Sequence, residues 1–402
     1  MTESIFSKSR LVRMHQSMRR HVDSGYVPGL VTLVARRGDV HVDAIGLMDV
    51  GGIAPMCRDT IFRIASLTKP VTAAAAMMLV EECKLRLDDP VDRWLPELAD
   101  RRVLRSLDSA LTDTVPANRA ITLRDLLTFR LGLGAIMVFP DEHPIQKAMS
   151  EAEVAPGPRI MRHAPDELMQ RYGRLPLVHQ PGECWMYDAG ADILGVLIAR
   201  VAGKSFGEVL RERIFELLGM KDTGFWVPEA KLDRLPTCYW TEGGTREELV
   251  VFDEPRSGGF AKPPIFESGG GGLVSTVDDF YAFYRMMLDK GAHGRDRLLS
   301  RASVELMTTD QITPEQKAAS PFVPGFWDSR GWGFGMSIIT KRDALETVPG
   351  RFGWDGGYGT SGYADPQNDM VGILMTQRVM DSPMAPPTLS DFWTSAYQAI
   401  GD

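Results

Sequence analysis

Cysteine, histidine and long apolar runs are all scarce in this sequence. Four cysteines, Cys57, Cys83, Cys184 and Cys238, lie far apart without Cys-x-x-Cys spacing, which argues against a disulfide framework and for a reduced, cytoplasmic setting. The seven histidines are dispersed and there is no His-Glu-x-x-His, so neither a metal nor any other cofactor is expected. No apolar stretch reaches the roughly 18 residues that a membrane-spanning helix needs. Dense Lys/Arg tracts are missing too, and with a formal net charge of -8 nucleic acid is not an expected partner. Internal repeats and low-complexity segments are absent. The first 25 residues have no continuous apolar core and read as an amphipathic surface helix, not a signal peptide.

What is present is ordinary globular material: 402 residues, 44% hydrophobic and 24% charged. That is too long for one core and suggests two joined domains. Leu30–Ala35 and Val40–Ile45 are β-rich segments around an Arg36-Arg37-Gly38-Asp39 turn. Helical patterns follow: Val71 onward, a short helix capped by Thr122, Asp188 to Val201 stopped by Gly203, another after Ser205, and one capped near Ser275-Thr276 that runs through Leu288. Thr241 to Phe266, rich in glycine, proline and charge, reads as a mobile stretch. Strand character returns over Trp332–Ile339, Tyr358–Ala364 and Val371–Met375, and a helix over Leu389–Ile400 closes the chain. Strands at both ends with helices between predict an α/β fold. Residues 1–87 and 295–402 form a discontinuous domain, 88–294 a mostly helical insertion, and the site lies in the cleft between them.

Chemistry enters at Ile64-Ala65-Ser66-Leu67-Thr68-Lys69-Pro70. A serine and a lysine three residues apart share one face of a helix. The segment that follows, with Ala73 to Ala76 and Met77-Met78-Leu79-Val80, is apolar nearly all round and predicts burial. A buried lysine is costly unless paired or neutralised. Desolvation is therefore expected to lower its pKa, leaving an amine able to take the proton of Ser66. On its own the spacing is weak evidence and is better explained by Ser66 as a helix cap and Lys69 as a solvated first-turn residue.

Two further blocks raise its weight. Tyr187, in Glu183-Cys184-Trp185-Met186-Tyr187-Asp188, stands just ahead of a helix; beside an ammonium its phenol would ionise in part and act as a base. Gly353-Trp354-Asp355-Gly356-Gly357-Tyr358 runs into a strand, and glycines there let a backbone N–H approach a developing oxyanion, with the Ser66 N–H as second donor. Gly203-Lys204-Ser205-Phe206-Gly207 matches the Gly-x-Ser-x-Gly nucleophile elbow. Ser205 lies between two helices, however, and Glu208 makes it a capping box instead.

These blocks, with ASLTKPVTAAAAMMLVEE, ITLRDLLTFRLGL, SGGGGLVSTVDDFYAFYRMMLDKG and GWDGGYGTSGYADP in that order, make the chain resemble the serine β-lactamase-related hydrolases. These are the class C β-lactamases, the D-alanyl-D-alanine peptidases and, most closely, the family VIII carboxylesterases. The resemblance implies an antiparallel sheet flanked by helices. It also implies Ser66 as nucleophile, Lys69 and Tyr187 as bases, and the N–H groups of Ser66 and Gly357 as the oxyanion hole. Trp354-Asp355-Gly356 takes the place of the third motif, Lys-Thr-Gly in β-lactamases and similar to Trp-Gly-Gly in the esterases. Without that lysine a cation for a substrate carboxylate is missing, and Asp355 should repel anions. Tyr-Asp-Ala replaces Tyr-x-Asn, and Phe129-Arg130-Leu131-Gly132-Leu133 stands where relatives often read His-Thr-Ser-Gly-Leu.

The expected activity is hydrolysis of small carboxylic esters. Trp185, Met186, Met137, Phe139 and Trp354 are expected to line an apolar cleft, with Asp355 and Gly356 beside them. A β-lactamase, peptidase, amidase or acyltransferase would use the same residues. The first two would need a cation, for which Arg378 is a candidate. A non-catalytic member of the fold would be expected to have lost Ser66, Lys69 or Tyr187, and all three are present.

Overall fold

Alternation along the first strand divides the molecule into two layers. In β1 (Gly29–Arg36) every residue is buried. Successive side chains point to opposite faces of a strand. Leu30 and Val34 join one apolar cluster, while Val31, Leu33 and Ala35 join another. A sheet with both faces covered follows directly from that pattern. The computed structural model describes residues 5–138, 140–157, 160–241 and 248–401.

The sheet has seven strands: β1, β2 (Asp39–Gly46), β3 (Arg330–Trp332), β4 (Ser337–Ile339), β5 (Phe352–Gly356), β6 (Thr360–Asp365) and β7 (Met370–Thr376). They lie in the order β3-β4-β5-β6-β7-β1-β2, and each neighbouring pair is antiparallel. The early hairpin therefore docks on the edge of a sheet made late in the chain. Arg37 and Gly38 both have positive φ, as a tight two-residue hairpin turn requires. β2, at the edge, carries Asp39, His41 and Asp43 and is mostly only half-buried, which discourages further strand pairing.

One face of the sheet is covered by the two termini. Helix α1 (Lys8–Asp23) and helix α5 (Pro387–Gln398) enclose Met14, Met18, Phe392 and Trp393 against Leu30, Val34, Tyr363 and Leu374. Gly372 in β7 makes room for Trp393: a Cβ there would lie 2.5 Å from its ring. The other face packs on helix α4 (Val277–Leu288), which lies against β1, β6 and β7, and helix α2 (Thr68–Glu81) belongs to the same large cluster, with Phe352, Ile373 and Met375. Helix α3 (Ala189–Ala202), almost wholly buried, lies against α2.

Some expected elements differ from those observed. Trp332–Ile339 is not one strand. It breaks over Gly333–Met336, where Gly335 takes φ +69° and its N–H donates to Leu127 O at 3.0 Å. Within the stretch expected to be a loop, Leu249–Asp253 pairs with Cys238–Thr241, and Asp253 forms a buried ion pair with Arg63; residues 242–247 lie outside the described set. Ser205 caps its helix with Glu208 in a capping box, as its spacing suggests, and Thr122 does the same with Asp125. Among the described residues no helix is long and apolar enough to cross a membrane.

Phe392→Ala should cost about 3–5 kcal/mol by removing a fully buried ring from the layer under α5. Urea unfolding measures this, and a loss well under about 1 kcal/mol would show that the terminal helices contribute little to this face.

Candidate active site

Ser66 lies in a single 3-10 turn, Ala65–Leu67, immediately before α2. It does not cap the helix; Leu67 holds the cap position, with no side-chain bond. The turn is held from three sides. Thr68 Oγ1 donates to Ala65 O at 2.7 Å, Ile64 N–H donates to Leu273 O at 3.0 Å, and Thr360 Oγ1 donates to Ile64 O at 3.0 Å. Ala65 has φ +45°, a conformation that costs a residue with a Cβ and persists only where the surroundings dictate it.

At the second position of α2, Lys69 is 1% exposed. Its Nζ donates to Ser66 Oγ at 2.9 Å and to Gly270 O at 2.6 Å, and lies 2.7 Å from Asp188 Oδ1. The Tyr187 ring sits under it, 4.6 Å from Nζ to the centroid. Burial pulls the lysine pKa down, but Asp188, with Tyr187 and Asp192 behind it, outweighs that and leaves it raised above its ordinary value. The desolvated, neutral amine expected from the sequence is therefore not the resting state; the partner carboxylate keeps it an ammonium.

Tyr187 Oη accepts a hydrogen bond from Trp354 Nε1 at 2.6 Å. Burial raises the phenol pKa, and Lys69, Ser66 and Trp354 only partly oppose it. At rest Tyr187 is thus a neutral phenol, not the partly ionised one expected. Trp354 belongs to an aromatic group with Trp332, Phe326 and Tyr187, which fixes its indole.

The Ser268-Gly-Gly-Gly-Gly272 run passes between α2 and α3. Thr72 Oγ1 donates to Gly269 O at 2.8 Å, and Asp192 Oδ1 accepts from Ser268 Oγ at 2.6 Å and from Gly270 N–H at 2.9 Å. A Cβ on Gly269 would lie 2.5 Å from Ala191 O, so glycine is what lets this loop bring the Gly270 carbonyl onto Lys69. The sequence offered a signal for this loop in four consecutive glycines; Asp188 and Asp192 carried none beyond their spacing of one helical turn.

At the end of β5, a Cβ on Gly356 would lie 2.4 Å from Ile64 O. That close approach carries the next residue, Gly357, to the same cavity wall as Ser66. Neither the Ser66 N–H nor the Gly357 N–H donates to an acceptor among the described residues.

The cavity has a volume of about 610 Å³ and opens over Ser66 and Tyr187. Its walls are largely apolar, with Met137, Phe225, Phe260, Phe322, Phe326 and Trp354. The charged groups on it are Asp188, Asp192, Asp355 and Asp381 against a single cation among the described residues, Arg330. Both oxygens of Asp355 are engaged, by Ser361 Oγ and Tyr363 Oη, and Arg330 donates to the same tyrosine at 3.3 Å.

Several expected lining residues lie elsewhere. Met186 and Trp185 are core residues behind the cavity, Met186 N–H bonding to Phe129 O, and Gly356 packs on the Ser66 turn. Phe139 lies outside the described residues. Arg378 is spoken for: it bonds to Tyr26 O and Asp381 and its guanidinium stacks on Tyr26.

A serine and lysine at the mouth of a buried helix, with a tyrosine across from them and an antiparallel sheet edge beside them, are the arrangement of a serine hydrolase. The chain belongs to the Beta-lactamase family, whose pattern it matches over residues 14–388. It is 40% identical over 373 residues to Protein Rv1367c of Mycobacterium tuberculosis, covering 91% of this chain and 89% of that one. It is 28% identical over 381 residues to Esterase EstB of Burkholderia gladioli, covering 90% and 89%. Among solved structures, EstCE1, described as a hydrolase with promiscuous acyltransferase activity, superposes with a TM-score of 0.78 at 26% identity, covering 97% of this chain and 99% of that one. The family thus includes esterases and acyltransferases, and the chain is an enzyme of the serine-hydrolase kind.

Lys69→Met should cost about 3–5 kcal/mol, because it leaves the Asp188 and Asp192 carboxylates facing each other without their counter-charge. Adding Asp188→Asn to it should recover about 1 kcal/mol or more in urea unfolding. Equal stability of the single and double variants would show that the pair is not coupled.

Proposed function

We propose that this protein is a carboxylesterase that cleaves neutral, apolar esters through an acyl-enzyme on Ser66. The observation that carries the reading is the placement of Ser66 Oγ. It lies 2.9 Å from Lys69 Nζ and at the wall of a large apolar cavity whose charged groups are mostly carboxylates. Such a wall disfavours the carboxylate of a β-lactam or peptide and accepts an uncharged acyl or alcohol group.

The steps follow from the geometry. Once Lys69 has lost a proton to solvent, its amine takes the hydroxyl proton of Ser66 while Oγ attacks the ester carbonyl and the π pair moves to oxygen. The N–H groups of Ser66 and Gly357 stabilise that oxyanion. Tyr187, a neutral phenol held by Trp354, gives its proton to the departing alcohol as the C–O bond breaks. Tyr187, now a phenolate, then takes a proton from water as the water oxygen adds to the acyl carbonyl, and the Lys69 ammonium returns a proton to Ser66 Oγ as the C–O bond breaks, releasing the acid and restoring all three groups. With its apolar walls, the cavity has room for an alcohol in place of water, so acyl transfer is a second outcome of the same intermediate, as the described activity of EstCE1 illustrates. The unpaired cysteines, two of them exposed, suit a cytoplasmic location.

Ser66→Ala should lower turnover of p-nitrophenyl esters by a factor on the order of 10⁶. A chromogenic cephalosporin should be cleaved far more slowly than the esters by the unaltered protein. Ester turnover that survives the substitution rules out this nucleophile, and efficient cephalosporin cleavage with negligible ester turnover makes the protein a β-lactamase instead.

A further inference from the structure

Asp188 serves neither the helix it precedes nor the backbone it sits in. Helix α3 begins at Ala189, and the Asp188 side chain caps none of its N–H groups. The backbone has φ +89° and ψ -67°, a γ-turn conformation that costs a residue other than glycine about 1–3 kcal/mol. What the strained conformation achieves is contact: the carboxylate lies 2.7 Å from Lys69 Nζ.

Lys69 has three N–H directions, and each has one partner: Asp188, the Gly270 carbonyl and Ser66 Oγ. The first two can only accept. Only the serine hydroxyl can both accept from the ammonium and give a proton of its own to the neutral amine. We propose that Asp188 is a positioning residue that aims Lys69 Nζ at Ser66 and sets the pH above which this amine takes the serine's proton.

This rests on the reading of Ser66 as an esterase nucleophile. The amine must first release a proton to water, and the neighbouring carboxylate makes that release costly. Two other titratable groups face Nζ. Asp192, one turn along α3, is occupied by Ser268 and Gly270, and Tyr187 presents its ring. The Asp188 charge also raises the pKa of both groups, so its removal acts on Lys69 directly and, to a lesser extent, through them.

Asp188→Asn keeps the volume, tolerates positive φ and retains a carbonyl oxygen for Nζ while removing the charge. The test follows phosphonylation of Ser66 by a fluorophosphonate, in which Oγ bonds to phosphorus and fluoride leaves. It also follows kcat/KM for p-nitrophenyl butyrate, both across roughly pH 5 to 10. The half-maximal pH of both profiles should fall by about one unit or more in the variant, as expected when an opposite charge is removed from a lysine, with KM little changed. Asp188→Gly, which relieves the strain, should shift the profiles in the same direction and serves if the asparagine variant does not fold.

Profiles that rise at the same pH in the unaltered protein and in the variants overturn the assignment of Asp188 while leaving Ser66 in place. Failure of the unaltered protein to be phosphonylated at any pH, or phosphonylation of Ser66→Ala, overturns the underlying esterase reading instead.

Discussion

A charged amine sealed between two buried helices and a glycine loop is the constraint on which the site depends. Lys69 cannot be stable there as a lone ammonium. The chain meets that demand with the Asp188 carboxylate from the start of α3, the Gly270 carbonyl from the loop and the Ser66 hydroxyl from the 3-10 turn just ahead of α2. Each partner explains an otherwise awkward local feature. Positive φ at Asp188, a run of four glycines and the tight turn at Ala65 all bring an oxygen to one nitrogen. The contacts that make the buried charge tolerable are thus the same ones that orient Lys69 toward Ser66, the proposed nucleophile.

The sheet contributes the opposite wall. Because β5 ends on a glycine that packs directly against Ile64 O, the turn carrying Ser66 and the edge carrying Gly357 are drawn to one cavity. Trp354, at the position where the sequence resemblance implies a lysine in β-lactamases, gives that wall an indole donor for Tyr187. With Asp355 tied to Ser361 and Tyr363, the surroundings of the serine become apolar and acidic in balance. That combination is the physical basis for the proposal that uncharged esters are the substrates.

Much of this was legible in the residues. The Ser66–Lys69 spacing before a nearly all-apolar helix, the hairpin turn at Arg37-Gly38, the cap at Thr122 and the capping box at Ser205 each follow from local rules, and the structure contains each of these local features. The protonation state was not legible, because it depends on Asp188, 119 positions further along, whose proximity only the fold creates. The same limit applies to Met186 and Gly356. Sequence places them beside motif residues, but whether a side chain faces a cavity or the core depends on packing from distant segments. The break at Gly333–Met336 was signalled by two glycines that apolar neighbours obscured.

The account stands or falls on where the acyl group goes. Rapid denaturation of the protein during turnover of a medium-chain p-nitrophenyl ester, followed by peptide mass spectrometry, locates it directly. The expected result is one acyl mass, confined to the peptide that contains Ser66. An acyl group on the peptide containing Ser205, or on any other residue, contradicts the account, as does ester turnover with no acylated peptide at any time.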